Sequence, residues 1–205
     1  MRLGIFGGTF DPIHLGHLIV AEQCREQGRL DQVLFIPAAR PPHKNDQELT
    51  AYAQRVEMLA LALSGNPAFR IDEREKDRPG PSFTVDTLAQ LHGCHDGAEL
   101  FLIVGSDTLR DLPLWHEPVR ILELAGLLVA PRPGAPIPAA DEVKKSLGLA
   151  DSFPLRYQVC DVPLIDIASR DVRRRIAESR SVRYLLPRAV EAYLCDKKLY
   201  MDKRS

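Results

Sequence analysis

The chain has 205 residues, 45% of them hydrophobic, which is enough for one well-buried domain and short for two. With 27 basic against 28 acidic residues the formal charge is −1, which argues against nucleic acid or another large polyanion as the main partner but allows a local basic site for a small anion. Cys24, Cys94, Cys160 and Cys195 share no ligand spacing, so a zinc site and a disulfide framework are both disfavoured and buried free thiols are expected.

The first apolar run, Leu3 to Phe6, stops at Gly7-Gly8 and reads as a strand. Leu15 to Gln27 is helical in pattern. Val33 to Ile36 is a second buried strand ending at Pro37, and a polar loop follows to about Thr50. Tyr52 to Leu63 places Val56, Leu59 and Leu63 at helical spacing, and Phe69 to Asp72 is a short strand. After the turn Pro79-Gly80-Pro81 come a helix from Thr84 to Leu91 and a strand from Leu100 to Val104, cut off by Gly105. Glu117 to Leu122 and Asp141 to Leu147 are helices, Gly126 to Ala130 a strand and Tyr157 to Val159 a weaker one. Asp171 to Glu178 and Arg188 to Cys195 are the last helices, the second with Pro187 in its first turn. Short apolar runs alternating with amphipathic helices predict an α/β fold, doubly wound, with a mostly parallel sheet covered on both faces. A single domain over residues 1–205 with a small helical C-terminal part is expected. The chain shows no signal-peptide pattern after Met1-Arg2. Its longest apolar stretch, Ile121 to Ala130, is broken by Glu123 and about half of a membrane span, so a cytoplasmic protein with no membrane partner is expected.

Ligands of such sheets bind beyond the carboxyl ends of the strands. The loop there begins with Gly7, Gly8, Thr9 and Phe10, and His14 and His17 follow with Gly16 between them. If the helix starts near Leu15, both imidazoles face the volume into which its first turn points free N–H groups, and Gly16 leaves room for a phosphate against the backbone. The residues describe a phosphate site with two polarisable donors; no third ligand suggests a metal held by side chains.

The string GGTFDPIHLGH, residues 7–17, resembles the nucleotidyltransferase superfamily marked by (T/H)xGH, and most of all its bacterial nicotinate-nucleotide adenylyltransferases. The resemblance runs over nearly the whole chain. Pro41-Pro42-His43-Lys44 is similar to the family's PPHK, whose lysine steadies phosphates. Pro81 to Leu88 resembles its (S/Y)TxxTL segment, which implies that Thr84, beyond acting as an N-cap, bonds the pyridine carboxylate. Gly105-Ser106-Asp107 is similar to its GxD, with Gly105 admitting the nucleotide and Asp107 accepting from a ribose hydroxyl. Trp115 matches the tryptophan that packs on the nicotinate ring, the His116 N–H a second donor to the carboxylate, and Arg132 the arginine of its RPG.

The run Ile167 to Arg173 resembles ISxTx(I/L)R, with Ala168 and Arg170 in place of the usual serine and threonine. Ser169 then caps the helix, Arg173 meets the phosphates, Arg170 supplies a charge for the missing hydroxyl, Asp171 turns to solvent, and Arg174 and Arg175 form a solvated face. The resemblance implies His14, His17, Lys44 and Arg173 as the catalytic set. ATP lies along Gly7, Gly8, Thr9, Phe10, Gly16, Gly105, Asp107, Ile167 and Ser169, and nicotinate mononucleotide against Thr84, Trp115, His116 and Arg132. Mg²⁺ is carried mainly by the ATP phosphates. The alternatives are nicotinamide mononucleotide or another small phosphate as acceptor, another transferase of the superfamily, or a nucleotide-binding regulator without catalysis. Monomer and homodimer both remain open.

Overall fold

The computed structural model describes residues 1–41 and 49–201. Strands β1 (Arg2–Gly8), β2 (Gln32–Pro37), β3 (Phe69–Ile71), β4 (Glu99–Gly105), β5 (Ala125–Ala130) and β6 (Tyr157–Val159) form one sheet in the order β3-β2-β1-β4-β5-β6, every pairing parallel. The expected doubly wound α/β architecture is therefore present, in Rossmann-like order.

Alternation along the strands explains why both faces are covered. Val33 and Phe35 of β2, Phe101 and Ile103 of β4, and Leu128 and Ala130 of β5 point to one side. There they pack on α1 (Leu15–Gln27), α2 (Tyr52–Leu63), α7 (Ser169–Ala177) and α8 (Arg188–Asp196) through residues such as Ala21, Leu59, Val172 and Val190. Leu34, Ile36, Leu100, Leu102, Leu127 and Val129 point to the other, against α3 (Thr84–Cys94), α5 (Pro118–Leu124) and α6 (Ala140–Ser146). Each fully buried leucine or phenylalanine contributes about 1.5–3 kcal/mol, so two cores on one sheet hold its position firmly.

The sheet also makes the site. β1 pairs with β2 as far as Gly8–Pro37 but with β4 only as far as Ile5–Leu102, while β4 stays with β5 to Gly105–Ala130. The tips of β1 and β4 therefore part, and a crevice opens where the strand order reverses.

Several local expectations change. A short helix, α4 (Ser106–Arg110), and a 3₁₀ turn over Leu112–Leu114 follow β4, where no element was expected. The N-caps of α3 and α7 are Phe83 and Ala168, so Thr84 and Ser169 open their helices without capping them. Pro187 is the N-cap of α8. Cys24 and Cys160 are buried, but Cys94 and Cys195 are exposed. Among the described residues no helix is long and apolar enough to cross a membrane.

Candidate active site

The loop from β1 to α1 is built around a reciprocal pair. His14 is the N-cap of α1. Its Nδ1 accepts the His17 N–H at 3.3 Å, and its own N–H donates to Nδ1 of His17 at 3.2 Å. With both Nδ1 atoms accepting, each neutral ring carries its proton on Nε2. Burial, and then the charge of Arg132, lower His14 to about 3. Burial, His14 and Arg132 together hold His17 well below its ordinary value. The rings stack with centroids 3.6 Å apart and planes 20° apart. Near neutral pH they present two Nε2–H donors at the β1 tip without carrying charge.

Gly16 and the start of α1 accommodate this pair. A Cβ at Gly16 would lie 3.1 Å from Nδ1 of His14, so the glycine makes room for the imidazole. Of the first-turn donors, the Leu15 N–H is taken by the Leu185 carbonyl at 2.9 Å and the His17 N–H by His14. The expected array of free N–H groups is correspondingly smaller. Phe10 has φ 47° and only 1% exposure. Its ring supports His17 edge-on at 5.2 Å, so the side chain itself faces no nucleotide. At Gly105 a Cβ would strike the Asp107 carboxylate and the Arg132 stem, so this glycine likewise admits neighbouring side chains.

Distant segments hold the loop in place. Arg55, 1% exposed, donates to the Thr9 carbonyl at 2.8 Å. Asp11, fully buried, accepts from the Tyr200 hydroxyl and, at 3.3 Å, from the Thr50 N–H. Ser169 donates to the Pro12 carbonyl at 2.9 Å and Arg173 to the Asp11 carbonyl at 2.7 Å. The altered C-terminal motif thus lies directly on the opening loop. Arg170 is 83% exposed, and Asp171, its side chain 39% exposed, faces solvent as expected, flanked by Arg174 at 2.9 Å and Arg170 at 3.9 Å. Arg175 donates to the Ser181 carbonyl.

A second cavity, of about 450 Å³, opens beside the crevice, with Thr84, Trp115 and His116 in its wall. The His116 ring packs on Phe83 at 4.3 Å and 30°. A smaller cavity, of about 160 Å³, shares Thr84, Thr108 and Trp115 with it and runs inward to Gly7, Gly8 and Gly105. Asp107 follows Gly105 and Ser106 and lies 3.8 Å from Arg132. Ser106, fully buried, accepts the Arg132 N–H at 3.0 Å and donates to the Ala135 carbonyl at 2.8 Å. These bonds fix Arg132 near the histidines. Ile167 packs at the edge of the first core. Lys44 lies outside the described residues.

Sequence reading missed Asp11, Arg55, Ser106 and Tyr200, although Asp11 and Ser106 stand inside the quoted motifs. The signal for them is burial of a charged or hydroxyl group, which one-dimensional spacing does not reveal. Among the described residues no three His, Cys, Asp or Glu side chains converge to hold a metal.

Paired imidazole donors at the switch point of a parallel sheet, beside an aromatic-walled pocket, define a nucleotidyltransferase. Comparison with known proteins agrees. The cytidylyltransferase-like family model matches residues 5–175. A probable nicotinate-nucleotide adenylyltransferase of Thermomicrobium roseum is 50% identical over 97% of this chain and 91% of its own. One from Thermus thermophilus is 46% identical over 98% and 100%. The Plasmodium falciparum nicotinic acid mononucleotide adenylyltransferase, solved in complex with NaAD, superposes with a TM-score of 0.80 over 97% of each chain at 18% identity, a likeness of fold. The chain belongs to the cytidylyltransferase-like family and, within it, to the nicotinate-nucleotide adenylyltransferases.

Proposed function

We infer that the protein transfers the adenylyl group of ATP to nicotinate mononucleotide, giving nicotinate adenine dinucleotide and pyrophosphate in NAD biosynthesis. The observation that carries this reading is the reciprocal His14–His17 pair, whose Nε2–H donors stand beside a separate aromatic pocket. A phosphate oxygen of the mononucleotide attacks the α-phosphorus of ATP. The bond to the bridging oxygen breaks and pyrophosphate leaves with its electron pair. The acceptor phosphate is already an anion, so no protein nucleophile is needed, and catalysis consists of positioning and charge stabilisation.

In this reading His14 and His17 donate to phosphate oxygens that gain charge, and Lys44 and Arg173 add positive charge. Gly7, Gly8 and Asp107 take the ATP side. Thr84 and the His116 N–H donate to the pyridine carboxylate, Trp115 stacks on the ring, and Arg132 lies between the two anions. In this reading a divalent cation, Mg²⁺, is carried mainly by the ATP phosphates and would neutralise the leaving pyrophosphate. The reading keeps the enzyme in the cytoplasm, with its ATP.

Initial rates of pyrophosphate release from ATP test this, with nicotinate and nicotinamide mononucleotides side by side and phosphopantetheine as control. The expected result is release with the nicotinate form, several-fold faster than with the amide. Release with neither pyridine nucleotide would sink the assignment.

A further inference from the structure

Glu75 takes no part in the chemistry described so far, yet it borders the inner cavity with Thr84, Thr87 and Trp115. It is 6% exposed. Its Oε1 accepts the Thr87 hydroxyl at 2.6 Å, and that hydroxyl accepts from Arg78 at 2.6 Å. Arg78 stands beside it, with its Nε also buried and without a hydrogen-bond partner among the described residues. It donates to the Phe83 carbonyl at 3.3 Å, pairs with Asp86 at 3.7 Å and stands 3.9 Å from Oε1 of Glu75. Oε2 of Glu75 is buried and has no hydrogen-bond partner among the described residues. Leaving such an acceptor unpaired is costly, and because Glu75 borders a cavity, a donor that arrives with a ligand can satisfy it.

We propose that Oε2 of Glu75 accepts a hydrogen bond from a ribose hydroxyl of the pyridine mononucleotide. The inference rests on the functional reading given above. The chemistry selects the group. The pyridine carboxylate, the ring and the ionised phosphate of nicotinate mononucleotide offer no donor, and the two anionic groups repel a carboxylate. Only the ribose hydroxyls can donate. The position agrees, because the cavity bordered by Glu75 lies between the Trp115 pocket and the Gly7-Gly8 tip, where the sugar joins ring to phosphate. Glu75 is then a binding residue that measures the sugar.

The test is binding of nicotinate mononucleotide and its 2′-deoxy and 3′-deoxy analogues to the native protein and to Glu75→Gln, by calorimetry, with ATP binding as control. In the native protein one deoxy analogue is expected to bind about tenfold to a hundredfold more weakly than the parent. Glu75→Gln should weaken the parent by a similar factor, no longer distinguish that analogue, and hold ATP within about twofold. Equal discrimination in both proteins, or ATP binding lost in step, would show a purely structural role. Indifference of the native protein to both hydroxyls overturns the proposal with no variant needed. If the native protein neither binds nicotinate mononucleotide nor turns it over, the functional reading itself fails, a result distinct from a failure at Glu75.

Discussion

The opening loop and the Trp115 pocket stand side by side but are built differently. Residues 7–17 are gripped by Arg55, Thr50, Ser169, Arg173, Leu185 and Tyr200, from four separate stretches of chain. His14 is 2% exposed and Asp11 fully buried. The pocket wall sits on short connections after β4, with Leu114 78% exposed and the His116 side chain half in solvent. Groups that must meet a transition state within a fraction of an ångström need the first kind of support. A surface that accepts and releases a flat ring can work with the second. Each region therefore fails in its own way when altered, the loop in turnover or stability and the pocket in substrate affinity.

The largest effect should come from His17→Ala. It removes a preorganised Nε2–H donor and should lower kcat by about a hundredfold to a thousandfold. The lost bond from the His14 N–H should cost only about 1 kcal/mol of stability, so circular dichroism and thermal melting should still report a folded protein. A folded variant with near-normal turnover would remove His17 from the chemistry.

Tyr200→Phe tests the grip itself. Burial, followed by the Asp11 charge, pushes the Tyr200 phenol up, as expected for a hydroxyl donating to a buried carboxylate. Without it Asp11 loses this donor and retains the 3.3 Å bond from the Thr50 N–H. Urea unfolding should show a loss of about 1–3 kcal/mol. A loss below about 0.5 kcal/mol would mean that the C-terminal segment rests on the loop without supporting it.

Trp115→Ala should act on the other region. Removing a ring that stacks on the pyridine should raise KM for the mononucleotide about tenfold and leave KM for ATP within about twofold. An equal rise in both would mean that Trp115 supports the sheet edge and does not bind ring.

The two regions were also unequally legible in the sequence. Strands and helices were readable because period-2 and period-3.6 apolar patterns reflect the two cores directly: α1 and α2 have the predicted bounds. The chemistry of the loop was readable because its residues are contiguous. What holds the loop was not, because Tyr200 and Asp11 are 189 positions apart and no local pattern links them. Gly16 shows a subtler limit. Its need for space was visible, but that the neighbouring imidazole fills part of that space was not. The helix Ser106–Arg110 escaped because five residues carry too little periodicity to register.

The smallest predicted effect distinguishes the neutral histidine pair from a charged one. His14 has a folded value of about 3 against an ordinary 6.5, a lowering caused first by burial and then by Arg132. The unfolded chain therefore binds a proton that the folded chain refuses, and stability falls as pH drops below 6.5, continuing until pH reaches about 3. Between pH 7.5 and 6 one such histidine removes about 0.8 kcal/mol. His14→Asn keeps a capping oxygen at the start of α1 and lacks the titrating ring. Unfolding free energies from urea titrations at the two pH values should therefore fall less for the variant than for the native protein, by about that amount. The comparison cancels the carboxylates, which titrate in both. If instead the native protein gained stability on acidification relative to the variant, the folded state would be binding the proton. The pair would then be a cationic site before any nucleotide arrives, and the argument for two neutral Nε2–H donors would fall.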